Sequence, residues 1–287
     1  MDSISTIILA GSLIIIMLGM GLTLQAADFK RIFRYPKAIF IGLVNQLLLL
    51  PLIGFCITLL FPMQPEIAIG VMILAACPGG PTSNLISHLA KADLALSVTL
   101  TAFSSLITIL TIPFIVNFAL EYFLGVGQMV ELDILSTIVQ IFVIVVIPII
   151  IGILIRKYCP NFADRMEKPV RIASGAVLAL IIVGLIIKER ANFFSYFEQA
   201  GMAALQLNIV TMFLGYFSAK LFGLGIKAAR SIAIESGIQN GTLAITIAVV
   251  LLQNASFAIV PAVYSLLMFV TGGILIYWVN RKINLLF

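Results

Sequence analysis

Apolar residues occur in long runs along the chain, and short polar or Pro/Gly-rich breaks separate these runs. Most runs reach the roughly 20 residues that an α-helix needs to cross a bilayer. None alternates apolar and polar residues with a period of two, as the strands of a membrane β-barrel do. The pattern therefore predicts an all-α integral membrane protein with nine transmembrane helices, at residues 5–27, 37–60, 66–91, 93–121, 132–156, 170–187, 200–222, 228–252 and 258–280.

Two of these spans, the third and the eighth, contain sequences that do not suit a continuous helix. The third includes "AACPGGPTSNLIS" (75–87), in which two prolines remove backbone donors and two glycines permit non-helical angles, so residues 78–81 are predicted to be unwound. The eighth includes "IESGIQNGTLA" (234–244), which Gly237 and Gly241 interrupt in a milder way. Both spans are predicted to be broken helices.

The positions of the two broken spans indicate an internal repeat. Four spans separate them, so the two cross the membrane in opposite directions. This is the requirement for an inverted repeat in which spans one to four match spans six to nine. Broken helices in corresponding positions of two inverted halves are typical of the binding sites of secondary transporters.

Composition supports a membrane protein: 62% of the 287 residues are hydrophobic and 10% are charged. An average soluble protein carries about 25% charged residues. The first span follows Asp2 instead of a basic segment, and no small-residue cleavage site follows it, so we interpret it as a retained helix and not as a signal peptide.

The net charge of +5 is explained by membrane topology. With nine spans, 15 of the 17 basic residues fall in loops on one side, and Lys188 and Arg190 fall on the other. Basic residues are enriched on the cytoplasmic side. The distribution predicts a multi-pass protein of the cell membrane with its N-terminus outside and its C-terminus in the cytoplasm. The basic residues form no aromatic-rich patch, so no nucleic-acid partner is expected.

The three cysteines, Cys56, Cys77 and Cys159, lie in or beside separate predicted helices and show no CxxC spacing. This pattern argues against a disulfide framework and against a transition-metal site. We expect the three cysteines to act as small apolar residues within packed helices.

Glu235 is an acidic residue inside a predicted span. A carboxylate at this depth costs about 2.5–3.5 kcal/mol even on the lenient insertion scale. No basic residue lies inside a span to pair with it, and Arg230, about 8 Å away along a helix, is expected at the cytoplasmic surface. A bound cation is the remaining candidate. One carboxylate among neutral oxygens suits Na⁺ better than Ca²⁺ or a transition metal.

The second half of each broken helix provides a positive electrostatic potential, opposite in sign to that of Glu235. Half-helices that begin near Thr82 and near Asn240 would direct free N–H groups and the positive ends of their dipoles toward the middle of the membrane. An organic anion could bind there. Cations at the breaks and an anion at the helix N-termini predict a symporter.

The segments "CPGGPTSNLISHLAKADLALSVTLTA" and "IESGIQNGTLA" resemble those of the bile acid:sodium symporter (BASS) family, and the similarity runs along nearly the whole chain. The resemblance implies two crossed broken helices, as in NhaA-type antiporters. Prokaryotic members commonly have ten helices, so the first span here would correspond to their second.

The resemblance also implies two co-transported Na⁺ ions. The residues that match the first sodium site of the family are Ser83, Asn84, Ser97, Thr101 and Glu235. Those that match the second are Gln46, Glu235, Ser236, Ile238 and Gln239, with Ser236 and Ile238 contributing through the backbone.

The family resemblance further implies a core domain, here 37–121 and 200–281, that moves against a panel domain, here 5–27 and 132–187. Substrates of the family include bile acids, steroid sulfates and small carboxylates such as pantoate and 2-oxo acids. Candidate anion contacts in this chain are Thr82, Asn240 and Gly241.

Other interpretations compete with sodium-coupled symport. The alternative is an Na⁺/H⁺ antiporter or a proton-coupled organic anion transporter, but an antiporter normally uses a pair of intramembrane acids and Glu235 has no such partner. A receptor without transport activity would not require sodium ligands in both breaks. No enzyme is expected, because the sequence lacks facing aspartates, a Gly-x-Ser-x-Gly elbow and an HExxH motif.

Several polar residues also have simple structural interpretations. Asp93 is most simply a helix cap, and His88 is most simply a solvated side chain. Ser97 and Thr101, taken alone, would be hydroxyls bonded to the backbone of their own helix.

Overall fold

The computed structural model describes residues 3–25, 35–125, 133–188 and 193–284, and these form α-helices and short connections. The predicted loop residues Lys30, Arg31, Arg34 and Arg190 and both chain ends lie outside these ranges. The helices are α1 (Ser3–Thr23), α2 (Pro36–Leu60), α3 (Pro65–Ala76), α4 (Pro81–Leu89), α5 (Leu94–Leu124), α6 (Ile134–Tyr158), α7 (Pro160–Lys188), α8 (Phe193–Leu221), α9 (Ile226–Gly237), α10 (Gly241–Leu251) and α11 (Ile259–Asn284).

Five stretches of helix in the described ranges are long and apolar enough to cross a membrane, namely α2, α5, α6, most of α8 and the first part of α11 with the turn before it. The chain is therefore a multi-pass membrane protein. These five coincide with predicted spans. The count of nine, which also needs α1, α7 and the two broken helices, stays a prediction.

The first broken helix is interrupted between α3 and α4. The unwound residues are 77–80 and not the predicted 78–81, because Pro81 begins α4. Proline is favoured in the first helical turn, where its missing N–H costs nothing. Cys77 is extended, with φ −77° and ψ 153°, since a residue before a proline avoids helical angles.

The second broken helix is interrupted between α9 and α10. Ile238 is extended, with φ −113° and ψ 95°, and Asn240 caps α10 by accepting a hydrogen bond from the N–H of Leu243 at 3.1 Å. Asparagine is among the best N-cap residues, which explains why the helix restarts here.

The two interruptions meet each other through their backbones. Gly79 and Gln239 form an isolated antiparallel bridge, and the N–H of Asn240 donates to the carbonyl of Pro78 at 2.9 Å. The half-helices on either side also touch, since α9 packs against α4 and α10 against α3. The broken helices are therefore joined at their unwound segments.

The connections that follow the two broken helices are built alike. Lys91 and Gln253 have left-handed backbones, with φ of 50° and 52°. Two residues after Lys91, Asp93 caps α5, which confirms the predicted cap. One residue after Gln253, the side chain of Asn254 accepts a backbone N–H two residues on. This similarity supports the predicted inverted repeat, which stays a prediction.

Helices α1, α6 and α7 pack together, whereas α2 to α5 pack with α8 to α11. Contacts also cross between the two groups, since α1 touches α10 and α5 touches α6. The predicted division into a panel and a core that move against each other stays a proposal. The contact between α1 and α6 is close because Gly21 and Gly152 face each other without side chains.

We expect Gly21→Ala to lower the melting temperature of the protein in detergent by several degrees. A Cβ at Gly21 would overlap the backbone of Ile149 and Gly152, which cannot move aside as a side chain could. Overpacking of this kind typically costs about 1–3 kcal/mol. Gly11→Ala is the matched control on the same helix, because its Cβ would meet nothing within 4 Å. Equal melting temperatures for the two variants would contradict the close packing of α1 and α6.

Candidate functional site

The carboxylate of Glu235 lies beside the unwound segments, in the last turn of α9. The residue is 2% exposed. Three hydroxyls donate to its oxygens: Thr101 to Oε1 at 2.5 Å, and Ser83 and Ser97 to Oε2 at 2.8 Å and 3.2 Å. Among the described residues no basic side chain pairs with this carboxylate. Its negative charge is thus solvated by hydroxyls, and no side chain in the described ranges supplies a counter-charge.

Two helices supply these hydroxyls for local reasons. Ser83 lies in the first turn of α4, and the Gly80 carbonyl, 2.7 Å from its hydroxyl, is the alternative acceptor for its one proton, which places the hydroxyl beside the break. Ser97 and Thr101 lie one turn apart on α5 and so face the same way. The helix start after the break and the i,i+4 spacing together bring the hydroxyls to Glu235.

Asn84 completes this group, which we call the carboxylate cluster: Ser83, Asn84, Ser97, Thr101 and Glu235. The Asn84 Oδ1 lies 3.0 Å from the Ser97 hydroxyl and 3.3 Å from the Thr101 hydroxyl, so it is the alternative acceptor to the carboxylate for the one proton of each. The five residues predicted for the first sodium site are therefore linked in one hydrogen-bond network, in which each lies within reach of at least one other. Each hydroxyl oxygen keeps a lone pair that can face a cation. The cluster offers hard oxygen donors with one negative charge, which suits Na⁺.

Ser87 also belongs beside this cluster, and the sequence reading did not include it. It is fully buried, one turn after Ser83 on α4, and its hydroxyl donates to Ser97 Oγ at 3.0 Å. The signal was present in the sequence, because Ser83 and Ser87 show the same four-residue spacing as Ser97 and Thr101.

A second group, the amide cluster, consists of Gln46, Gln239 and the carbonyls around them. Gln46 lies in a π-helical turn of α2, Asn45–Leu49, and such turns are frequent at functional sites. Its Nε2 donates to Gln239 Oε1 at 2.8 Å and to the Cys77 carbonyl at 2.9 Å. The Gln239 Nε2 donates to the carbonyls of Ser236 at 2.8 Å and Glu235 at 3.3 Å. The Cys77 carbonyl was not anticipated from the sequence.

Glu235 joins the two clusters in an unexpected way. Its carboxylate is hydrogen-bonded within the carboxylate cluster, and it meets the amide cluster through its backbone carbonyl. Ile238, the remaining predicted residue of the second sodium site, lies in the unwound segment, and its N–H bonds to the Ile234 carbonyl at 2.8 Å. Among the described residues no hydrogen bond joins the Ile238 carbonyl to either glutamine.

Gly79 lies directly against the Glu235 carboxylate. A Cβ at this position would overlap Oε1 and Cδ of Glu235. The neighbouring Gly80 is different, since a Cβ there would be 3.4 Å from its nearest heavy atom, the Asn240 Cα. Only the first of the two glycines is therefore required by the position of the carboxylate.

The three predicted anion contacts do not share one environment. Thr82 is half-buried in the first turn of α4. Asn240 is 5% exposed, and its side-chain oxygen is used to cap α10. Gly241 lies against α11, where a Cβ would overlap the hydroxyl of Ser265. Thr82 is thus the predicted contact whose side chain is accessible.

The structure also places His88 and the three cysteines. His88 is exposed at the end of α4. The three cysteines are free thiols, with Cys77 buried and the other two exposed. In the described parts of the chain, no three His, Cys, Asp or Glu residues come together as a metal site.

Comparison with known proteins supplies independent information. A family model described as the sodium bile acid symporter family matches residues 10–196. The uncharacterized sodium-dependent transporter YocS of Bacillus subtilis is 30% identical, over 94% of this chain and 82% of its own. The probable chloroplastic sodium/metabolite cotransporter BASS2 of rice is 29% identical, over 93% of this chain. The human ileal sodium/bile acid cotransporter is 29% identical, over 86% of this chain and 69% of its own.

These relatives differ in length from the chain. The alignment covers 62% of the rice protein, so the chain spans less than two thirds of that relative.

Proposed function

Because the chain belongs to the sodium bile acid symporter family, we propose that it is a sodium-coupled symporter that imports an organic anion by alternating access. The observation that carries this proposal is the carboxylate cluster, in which a buried glutamate is surrounded by hydroxyl and amide oxygens and meets no basic side chain in the part of the chain that the structure describes. A cation that binds there would supply that counter-charge.

Two sodium sites follow from the two clusters. The first uses the carboxylate cluster. The second uses Gln46, Gln239 and the carbonyls of Ser236 and Ile238, with Glu235 as the residue common to both. In the amide cluster the two glutamine side chains bond to each other and to the Cys77, Glu235 and Ser236 carbonyls. A cation there would replace the amide N–H groups as the partner of these oxygens, so binding requires the amides to turn.

The anion is a bile acid, a steroid sulfate or a small carboxylate such as pantoate or a 2-oxo acid. The printed names of two relatives, a sodium/bile acid and a sodium/metabolite cotransporter, agree with this class. The N-terminus of α4 at Thr82 is the best supported contact, since it combines a helix dipole with an accessible hydroxyl.

Transport takes place by movement of the core, 37–121 and 200–281, against the panel, 5–27 and 132–187. The protein lies in the cell membrane with its N-terminus outside and its C-terminus in the cytoplasm. The close packing within each group of helices supports this division.

The proposal is tested by thermal stability of the purified protein in detergent, in NaCl and in KCl at equal ionic strength. We expect Na⁺ alone to raise the melting temperature, because a ligand that binds only the folded state stabilises it. We expect one of three anions, taurocholate, pantoate or pyruvate, to raise it further when Na⁺ is present.

Two outcomes would count against the proposal. If Na⁺ and K⁺ give the same melting temperature in every condition, the sodium sites are wrong. An anion that stabilises equally well in KCl, and more strongly at acidic pH, would instead favour a proton-coupled organic anion transporter.

A further inference from the structure

The carbonyl of Gly237, the last residue of α9, is held by two buried side chains from other helices. Asn208 of α8 donates to it through Nδ2 at 2.6 Å, and Tyr264 of α11 donates through its hydroxyl at 2.8 Å. Both side chains are fully buried, and Asn208 Nδ2 also lies 3.3 Å from the tyrosine oxygen. One backbone oxygen at the start of the unwound segment therefore accepts two hydrogen bonds.

The carbonyls beside Gly237 have different partners. Those of Glu235 and Ser236 accept from Gln239 in the amide cluster. Ile238, which follows, is extended, with φ −113° and ψ 95°. Successive groups of an extended chain point to opposite sides. Fixing the Gly237 carbonyl toward α8 and α11 therefore turns the Ile238 carbonyl away from them.

The Asn208 side chain is not explained by stability alone. Its Oδ1 is buried and has no hydrogen-bond partner among the described residues. An unpartnered buried acceptor destabilises the folded state, and a leucine of similar shape would not have one. A polar group that is kept at such a position calls for a specific reason.

We propose that Asn208 and Tyr264 are positioning residues for the second sodium site, because together they hold the Gly237 carbonyl so that the carbonyls on either side of it can face the cation. Neither side chain is a ligand of the ion. This inference rests on the proposed sodium coupling, and it adds one residue from α8 and one from α11 to the residues that shape the second sodium site.

Two variants remove one donor each. Tyr264→Phe removes the hydroxyl and leaves Asn208 on the Gly237 carbonyl, whereas Asn208→Leu removes the amide and leaves Tyr264. In each, the NaCl concentration for half-maximal thermal stabilisation is expected to rise about threefold or more, as the loss of one hydrogen bond predicts. The melting temperature of Asn208→Leu in KCl is expected to equal or exceed that of the unmodified protein, since its unpartnered oxygen is gone.

Thr58→Val is the matched control. Thr58 is buried, and its hydroxyl donates to the Phe55 carbonyl within its own helix. Loss of this hydroxyl is expected to leave the half-saturating NaCl concentration unchanged.

The outcomes separate this inference from the proposed function. If the unmodified protein shows no difference between Na⁺ and K⁺, the proposed function fails and the inference fails with it. If the unmodified protein responds to Na⁺ but both variants respond at the same NaCl concentration, only the inference is overturned. A lower melting temperature in KCl without a shift in the sodium response would show a purely structural role. Should Asn208→Leu not fold, Tyr264→Phe decides the question alone.

Discussion

The Glu235→Gln variant is expected to lose its sodium-specific stabilisation and sodium-driven uptake while it still folds. Glutamine has nearly the same shape: its amide oxygen can accept from Ser83 and Ser97, which lie 2.8 Å and 3.2 Å from Oε2, and its NH2 group can donate to the hydroxyl of Thr101, 2.5 Å from Oε1. It lacks the charge that the proposed cation would neutralise. Removal of one member of a buried charge pair costs about 2–5 kcal/mol, so the half-saturating NaCl concentration should rise by roughly 30-fold or more.

Stability in KCl distinguishes this change from simple damage to the fold. A buried carboxylate without a counter-charge is costly, so the glutamine variant is expected to melt no lower than the unmodified protein in KCl. Glu235→Ala differs, because it leaves the three hydroxyl donors without their acceptor and opens a cavity. That variant is expected to melt lower in both salts. A glutamine variant with an unchanged sodium response would remove Glu235 from the mechanism.

The second large effect is expected from Gly79→Ala. The added Cβ would overlap the Glu235 carboxylate, which is the flexible end of a side chain and can move. The protein is therefore expected to fold with the carboxylate displaced from its three hydroxyl donors. Sodium-specific stabilisation should be lost or should need at least about tenfold more NaCl, since more than one hydrogen bond of the cluster is broken. The measurement is the same titration of melting temperature with NaCl.

Gly80→Ala is the matched control for this variant, because it adds the same methyl group at the next residue of the same break. Its Cβ would be 3.4 Å from the nearest heavy atom, which is an ordinary contact. We expect a nearly normal sodium response. If both alanine variants lose the response equally, the effect comes from stiffening the unwound backbone and not from the position of the carboxylate.

Much of the fold could be predicted from the sequence because the relevant signals are local. Apolar runs locate helices whatever their packing, and the Pro-Gly-Gly-Pro segment breaks a helix in any context. The one-residue shift of the break also has a local cause, since Pro81 suits the first turn of α4. Asp93 was recognised as a cap from its position alone.

The candidate site was predictable only in part. Glu235 stood out because a charge in an apolar run needs a reason, and its partners were assigned by family resemblance. The contacts of the amide cluster could not be read from the sequence, since Gln46 and Gln239 are 193 residues apart. The contacts of Asn208 and Tyr264 with Gly237 could not be read from the sequence either, since each joins two different helices, 29 and 27 residues apart along the chain. Asn240 was interpreted as an anion contact, but its side chain caps α10, a competing role that its position just before a helix already favoured.

The backbone bridge between Gly79 and Gln239 has a mechanical consequence. Pulling the two breaks apart would expose unpaired amide groups where no bulk water can satisfy them, which is costly. The crossing point should therefore hold the paired half-helices together, so that they move as one rigid body. In the proposed movement of the core against the panel, the energy barrier of the transport cycle would arise where that body slides past α1, α6 and α7. Substitutions along that boundary should change how fast the protein cycles, and substitutions at the crossing should change how tightly it binds.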